Sequence, residues 1–153
     1  DQPGARNLNL TQVSDNSSFL DPTDYGRQTF GERLTLESIC EVEVARLDEL
    51  YAELQSAYGF RRPFLKMDTQ GFDLKVLEGA RGVWPQFCGL LTEAALKKSY
   101  ADMPDMTETL DAVRAAGFDP TGFFPVATDP DRSLVEVDCV AQRRPGADQL
   151  AAA

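Results

Sequence analysis

Two short apolar runs, Pro63-Phe64-Leu65-Lys66-Met67-Asp68 and Gly89-Leu90-Leu91-Thr92-Glu93-Ala94, flank a stretch in which Phe72, Val76, Ala80, Val83 and Trp84 form one apolar stripe at helical spacing. Runs of that length bounded by turn residues read as buried strands. The stretch between them is predicted as a single helix over 71–84, ended by Pro85. Parallel strands need a crossover of about a dozen residues or more, and this segment supplies one. Residues 63–68 and 89–94 are therefore expected as adjacent parallel strands joined by a right-handed crossover.

The remaining chain extends the same alternation. Residues 39–46 alternate polar and apolar side chains, with Val42 and Val44 on one face, as a half-exposed strand does. A helix follows through Leu47, Leu50, Leu54 and Tyr58, stopped by Gly59. Asp105 with Glu108 three residues on resembles a capping box opening a helix through Met106, Leu110 and Val113, closed by Gly117. Strands over about 118–127 and 133–142 flank Asp129-Pro130-Asp131-Arg132 and should pair as an antiparallel hairpin. Nearer the start, 7–11 reads as a strand and the Ser-, Asp-, Pro- and Gly-rich stretch 14–33 as a long loop. The fold class expected is α/β, a mostly parallel sheet with a C-terminal antiparallel pair. One domain is expected over 1–144, with 145–153 as a flexible tail.

Composition narrows the chemistry. The 153 residues carry no histidine, which removes Ser-His-Asp and Cys-His catalysis and any His-ligated metal. A net charge of −10 disfavours nucleic acid and anionic membrane surfaces as partners. Cys40, Cys88 and Cys139 are far apart and odd in number, and read as reduced thiols. No run reaches the ~18 apolar residues of a membrane span, and the first residues lack the features of a secretory signal. A cytoplasmic location is the expectation. Asp15, Asp21 and Asp24 match no metal-loop spacing, so no metal is expected.

The candidate chemistry sits at the end of the first apolar run. Side chains alternate across a strand, so Lys66 and Asp68 share a face, about 7 Å apart along the chain. A Lys and an Asp there are either paired with one another or open onto a cleft. Asp68 lies where the strand gives way to Thr69-Gln70-Gly71, the carboxyl end at which open α/β sheets bind ligands. Glu93 ends the neighbouring strand and should face the same side.

The run from Lys66 to Ala80 closely resembles the pattern K-I-D-x-[EQ]-G-x-E-x-x-V-L-x-G-A of the FkbM-type methyltransferases, with Asp73 where that pattern has Glu. Weaker matches agree in order: Val44 to Leu50 with V-x-R-L-D-x-L, Leu91-Thr92-Glu93 with I-x-E, Asn16 to Leu20 with a Ser-rich loop, and Val135 to Val140 with a closing E-x-D-x-V strand. The resemblance covers about 7–143. It implies a partial class I methyltransferase (Rossmann-like) fold and S-adenosylmethionine as cofactor. It also implies that the chain is the C-terminal part of such an enzyme, since the glycine-rich cofactor turn of that family has no counterpart in it.

By the same resemblance, the activity expected is O-methylation of a hydroxyl on a sugar or another polyhydroxylated small molecule. The rival reading is a non-catalytic α/β binding or assembly module. Asp68 is the first choice for base or acceptor-positioning residue, with Glu93 and Lys66 as further catalytic candidates. Asp68, Thr69 and Gln70 are assigned to the cofactor's methyl end, and Ser17 and Ser18 to substrate. In the complete fold the strand at 63–68 would be central. Here it is expected as an open edge, which invites self-association.

Overall fold

The computed structural model describes residues 2–144, so the expected tail at 145–153 lies outside the described residues. The chain forms two sheets. In the first, β1 (Gly4–Thr11) and β2 (Leu36–Val44) make an antiparallel ribbon. The second has four strands, β3 (Phe64–Lys66), β4 (Gly89–Ala95), β5 (Phe118–Thr128) and β6 (Leu134–Arg143), in the order β3-β4-β6-β5. β3 and β4 are parallel with Leu65 opposite Leu90, as the β-α-β pattern required.

Both other pairings, β4 with β6 and β5 with β6, are antiparallel. The sheet is therefore mixed, which corrects the expectation of a mostly parallel one. The hairpin forms as read, but its second strand docks on β4. Burial explains the choice: Val135, Val137, Cys139 and Ala141 of β6 are all buried, whereas Phe123, Phe124 and Val126 of β5 stay exposed. The strand with a continuous apolar face takes the inner position, and β5 takes the edge. The outer side of β3 has no strand partner among the described residues.

Three helices cover one face of this sheet. α2 (Leu47–Tyr58) ends on Gly59 in the left-handed conformation, with φ 65°, as the sequence indicated. α4 (Met106–Ala115) begins with the capping box, in which Asp105 accepts from the Glu108 amide and Glu108 accepts from the Asp105 amide. The core joins Leu65 and Leu90 of the strands to Tyr51, Leu77 and Val113 of the helices.

The single helix expected over 71–84 is divided. α3 spans Asp73–Gly79 and gives way to a 3-10 segment at Arg81–Gln86 that contains Pro85. Two tertiary bonds account for the change. Asp48 Oδ2 accepts the Gly82 amide at 3.0 Å, and Trp84 Nε1 donates to the Leu77 carbonyl at 2.7 Å. Both take groups that an α-helix would use, and Gly79 and Gly82 are weak helix formers that offer little resistance. Asp48 is itself held by Arg46 at 2.6 Å, and that bond holds its carboxyl below the ordinary range.

The stretch 14–33 also departs from the loop reading, since it contains α1 (Asp24–Phe30) between two 3-10 turns. Thr23 caps α1, its Oγ1 accepting the Gly26 amide at 3.0 Å. Its backbone amide donates to the Ser99 carbonyl at 2.9 Å. The approach is close enough that a Cβ on Gly26 would lie 2.2 Å from that same carbonyl oxygen. Gly26→Ala should therefore cost about 2–3 kcal/mol through overpacking. Urea unfolding followed by circular dichroism measures this, and an unchanged midpoint would show that the contact yields freely.

Candidate functional site

At the end of β3 the chain reverses through Gln70 and Gly71, both with positive φ (51° and 84°). Glycine suits its position: a Cβ on Gly71 would lie 2.8 Å from Met103 Cβ. Gln70 is a non-glycine residue in the left-handed region, a conformation that must be held by its surroundings. Its carbonyl accepts from Ser18 Oγ at 2.8 Å. Its side-chain amide nitrogen donates to Asp68 Oδ1 at 3.2 Å and, at the limit of a hydrogen bond, to Glu93 Oε2 at 3.5 Å. The Tyr100 hydroxyl lies 2.8 Å from the Asn16 carbonyl and 3.2 Å from Gln70 Oε1. Gln70 thus aims its amide between two carboxyl groups from the ends of β3 and β4.

Those carboxyl groups open on a cleft of about 220 Å³ whose lining includes Asp68, Gln70, Glu93, Tyr100 and Glu136. Asn16 and Arg33 close it from the N-terminal segment. Lys66 lies beside the cleft, paired with Asp68 Oδ2 at 2.6 Å; both side chains are largely exposed. The two alternatives for Lys66 and Asp68 hold together: they are paired, and Asp68 also faces a cleft.

Below the cleft, Asp73 ties the turn to the sheet. It is 2% exposed. One of its oxygens accepts the Thr69 amide at 2.9 Å and the Thr69 hydroxyl; the other accepts Thr92 Oγ1 at 2.9 Å and the Glu93 amide at 3.0 Å. This carboxylate therefore fixes the spacing between the ends of β3 and β4, and with it the positions of Asp68 and Glu93.

The electrostatics are unusual. Burial pushes the Glu93 carboxyl up to about 9, with the charges of Glu136, Asp68, Asp73 and Asp138 adding to the effect. Burial likewise raises Glu136 to about 7, helped by Asp73, Asp138 and Asp68. Tyr100 is raised by burial, then by Glu136 and Glu93, while Arg33 opposes the shift. At neutral pH Glu93 is a neutral acid able to donate a hydrogen bond, and Glu136 lies near its midpoint.

Of the residues expected at a site, the structure brings Asp68, Gln70 and Glu93 to one cleft, with Lys66 at its edge. Thr69 is turned away, its amide and hydroxyl both spent on Asp73. Ser18 is buried and holds the Gln70 carbonyl, and Ser17 Oγ accepts the Thr11 amide at 3.2 Å. Neither serine lines the cleft; they shape its wall. Sequence reasoning missed Tyr100, Asn16 and Glu136. Glu136 carried only a weak signal, as one of two acidic residues, with Asp138, on the polar face of an alternating strand.

The family model of the methyltransferase FkbM domain matches residues 1–120. The chain belongs to that family. No significant match was found among curated proteins or among solved structures. The matched residues of this FkbM domain contain Asp68, Gln70 and Glu93, whereas Glu136 lies beyond them. The acidic lining suits the cationic sulfonium of a methyl donor, since carboxylates in a partly enclosed cleft favour a positive charge. Among the described residues, no group of three or more Cys, Asp or Glu is arranged to hold a metal ion, and no helix is long and apolar enough to cross a membrane. Cys40, Cys88 and Cys139 are free thiols.

Proposed function

We propose that this FkbM domain takes part in O-methylation, with a hydroxyl of a sugar or another polyhydroxylated small molecule as acceptor and S-adenosylmethionine as donor. The observation that carries the reading is the convergence of Asp68, Gln70 and Glu93 on one cleft at the ends of adjacent parallel strands. Ligands bind at that end of α/β sheets. When bound, the cofactor supplies an electrophilic methyl group on a positively charged sulfur. Asp68 and Gln70 would hold that end of it, the carboxylate by charge and the amide by hydrogen bonding.

The chain's own residues then have separable tasks. Asp68 is anchored on one oxygen by Lys66 and on the other by Gln70, so its carboxylate is preset to orient an acceptor hydroxyl. Glu93, neutral at pH 7, donates a hydrogen bond to an acceptor oxygen. Tyr100 and the segment around Asn16 wall the cleft from solvent. The small, polar, largely acidic lining favours neutral hydroxyl compounds and disfavours phosphorylated ones.

The test is methyl transfer from S-adenosylmethionine to a panel of free sugars and polyols by the enzyme, with Asp68→Asn as the variant. The isostere keeps the packing of an exposed side chain, so the melting temperature should stay within a degree or two. Turnover should fall about 10²-fold, as expected for a misplaced reactant. Unchanged turnover would reduce Asp68 to a partner for Lys66.

A further inference from the structure

Glu136 is the cleft residue whose environment calls most strongly for a ligand. It stands on β6 opposite Ala95, one pleat along the same face from Asp138, which is opposite Glu93. Glu93 and Glu136 are thus diagonal neighbours on adjacent strands, and both line the cleft. Asp68 is held by Lys66 and Gln70, and Asp73 by four donors. The half-buried Glu136 side chain makes no hydrogen bond or ion pair with any described residue. A carboxyl group removed from water without a partner is costly, and a site that keeps one gives it a proton or a ligand. Asn16, which lines the same cleft, likewise keeps its buried Oδ1 without a partner.

We propose that Glu136 is the catalytic residue that takes the acceptor's hydroxyl proton, with Glu93 beside it in the same cleft. This rests on the methyl-transfer reading and deepens it. The hydroxyl proton passes to a carboxylate oxygen of Glu136. The oxygen's freed electron pair makes the new bond to the methyl carbon, whose former bonding pair stays with the donor's sulfur. Asp68 is tied to Lys66 and orients; Glu136 is untied and exchanges the proton.

The groups around Glu136 set its behaviour. Glu93 faces it from β4, Asp73 from α3 and Asp68 from the turn after β3. Asp138 lies along its own strand, and Asp15, Arg33 and Tyr100 come from the segments that close the cleft. Arg33 is the cation in that lining, and it is exposed. This surplus of negative charge favours a protonated Glu136 after transfer, and a base poised near neutrality is the effective one.

Two measurements on the enzyme test the proposal. Carboxyl carbon NMR of protein labelled at glutamate, without cofactor or acceptor, should show one group titrating near neutrality that disappears in Glu136→Gln. An ordinary carboxylate midpoint for Glu136 overturns the proposal. The second measurement is turnover against pH with the panel of free sugars and polyols. Wild-type turnover should rise with pH through the neutral range, whereas Glu136→Gln should lose ~10²- to 10⁴-fold in kcat with little change in KM and no acidic limb. Glu136→Asp should recover part of the rate. Wild-type turnover that persists in Glu136→Gln overturns the role of Glu136 alone. A wild type that methylates no member of the panel overturns the methyl-transfer reading, and this role with it.

Discussion

Asp73→Ala is expected to cost about 3–5 kcal/mol, the range for removing one partner of a buried charged network. The residue is 2% exposed, and its two oxygens accept from the Thr69 amide and hydroxyl, the Thr92 hydroxyl and the Glu93 amide. Alanine leaves these donors facing a small void that cannot satisfy them. A domain of this size has only ~5–15 kcal/mol in total, so the variant should be largely unfolded in mild denaturant. Asp73→Asn keeps the shape but turns an amide NH2 toward donors, and should cost less but remain clearly destabilising. Urea titration of the three proteins measures both losses. A midpoint for Asp73→Ala close to that of the parent would show that water or a backbone shift replaces the carboxylate.

The second large effect is a loss of stability as pH rises. Folding raises Glu136 from an ordinary 4.5 to about 7 and Glu93 from 4.5 to about 9. Between these limits the folded chain holds protons that the unfolded chain has released. The contribution of this pair to unfolding stability therefore falls with increasing pH, being fully present below the unfolded values and lost as pH rises through the folded ones. A tenfold difference in proton affinity between the folded and unfolded chain corresponds to ~1.4 kcal/mol. After discounting for water at the open cleft, the expected loss between pH 6 and pH 9 is on the order of 2–4 kcal/mol. The net charge of −10 acts in the same direction through general repulsion. The double variant Glu93→Gln, Glu136→Gln separates the two contributions and should flatten most of the slope. A parent whose urea midpoint is level or rises from pH 6 to pH 9 would contradict the burial of these carboxyl groups. The same pair governs the proposed chemistry, so stability and proton transfer are linked at one place in the fold.

The elements legible in the sequence were those decided by neighbours along the chain. α2 and its stop at Gly59, the capping box of α4, the hairpin and the parallel β3–β4 unit each follow from local periodicity or from a cap within a few residues. The meeting of Asp68 with Glu93 at one end of the sheet follows from strand alternation and the β-α-β unit. For Lys66 and Asp68, alternation gave a shared face and left pairing or an open cleft as alternatives, which the structure combines.

What the tertiary structure decided were choices between locally equivalent outcomes. A hairpin sequence specifies that β5 and β6 pair, but which of them docks on β4 depends on the face that the remaining core can bury. The break between α3 and the 3-10 segment depends on Asp48, distant in sequence, accepting the Gly82 amide. Asp73 reads locally as a residue favoured at a helix start, and only the approach of β4 makes it a four-donor hub. Glu136 reads as one polar residue of an alternating strand. Its placement without a hydrogen-bonding partner beside Glu93 arises because β6, rather than β5, lies against β4. Periodicity along the chain reports which face a side chain occupies; only the packing of distant elements determines what it meets there.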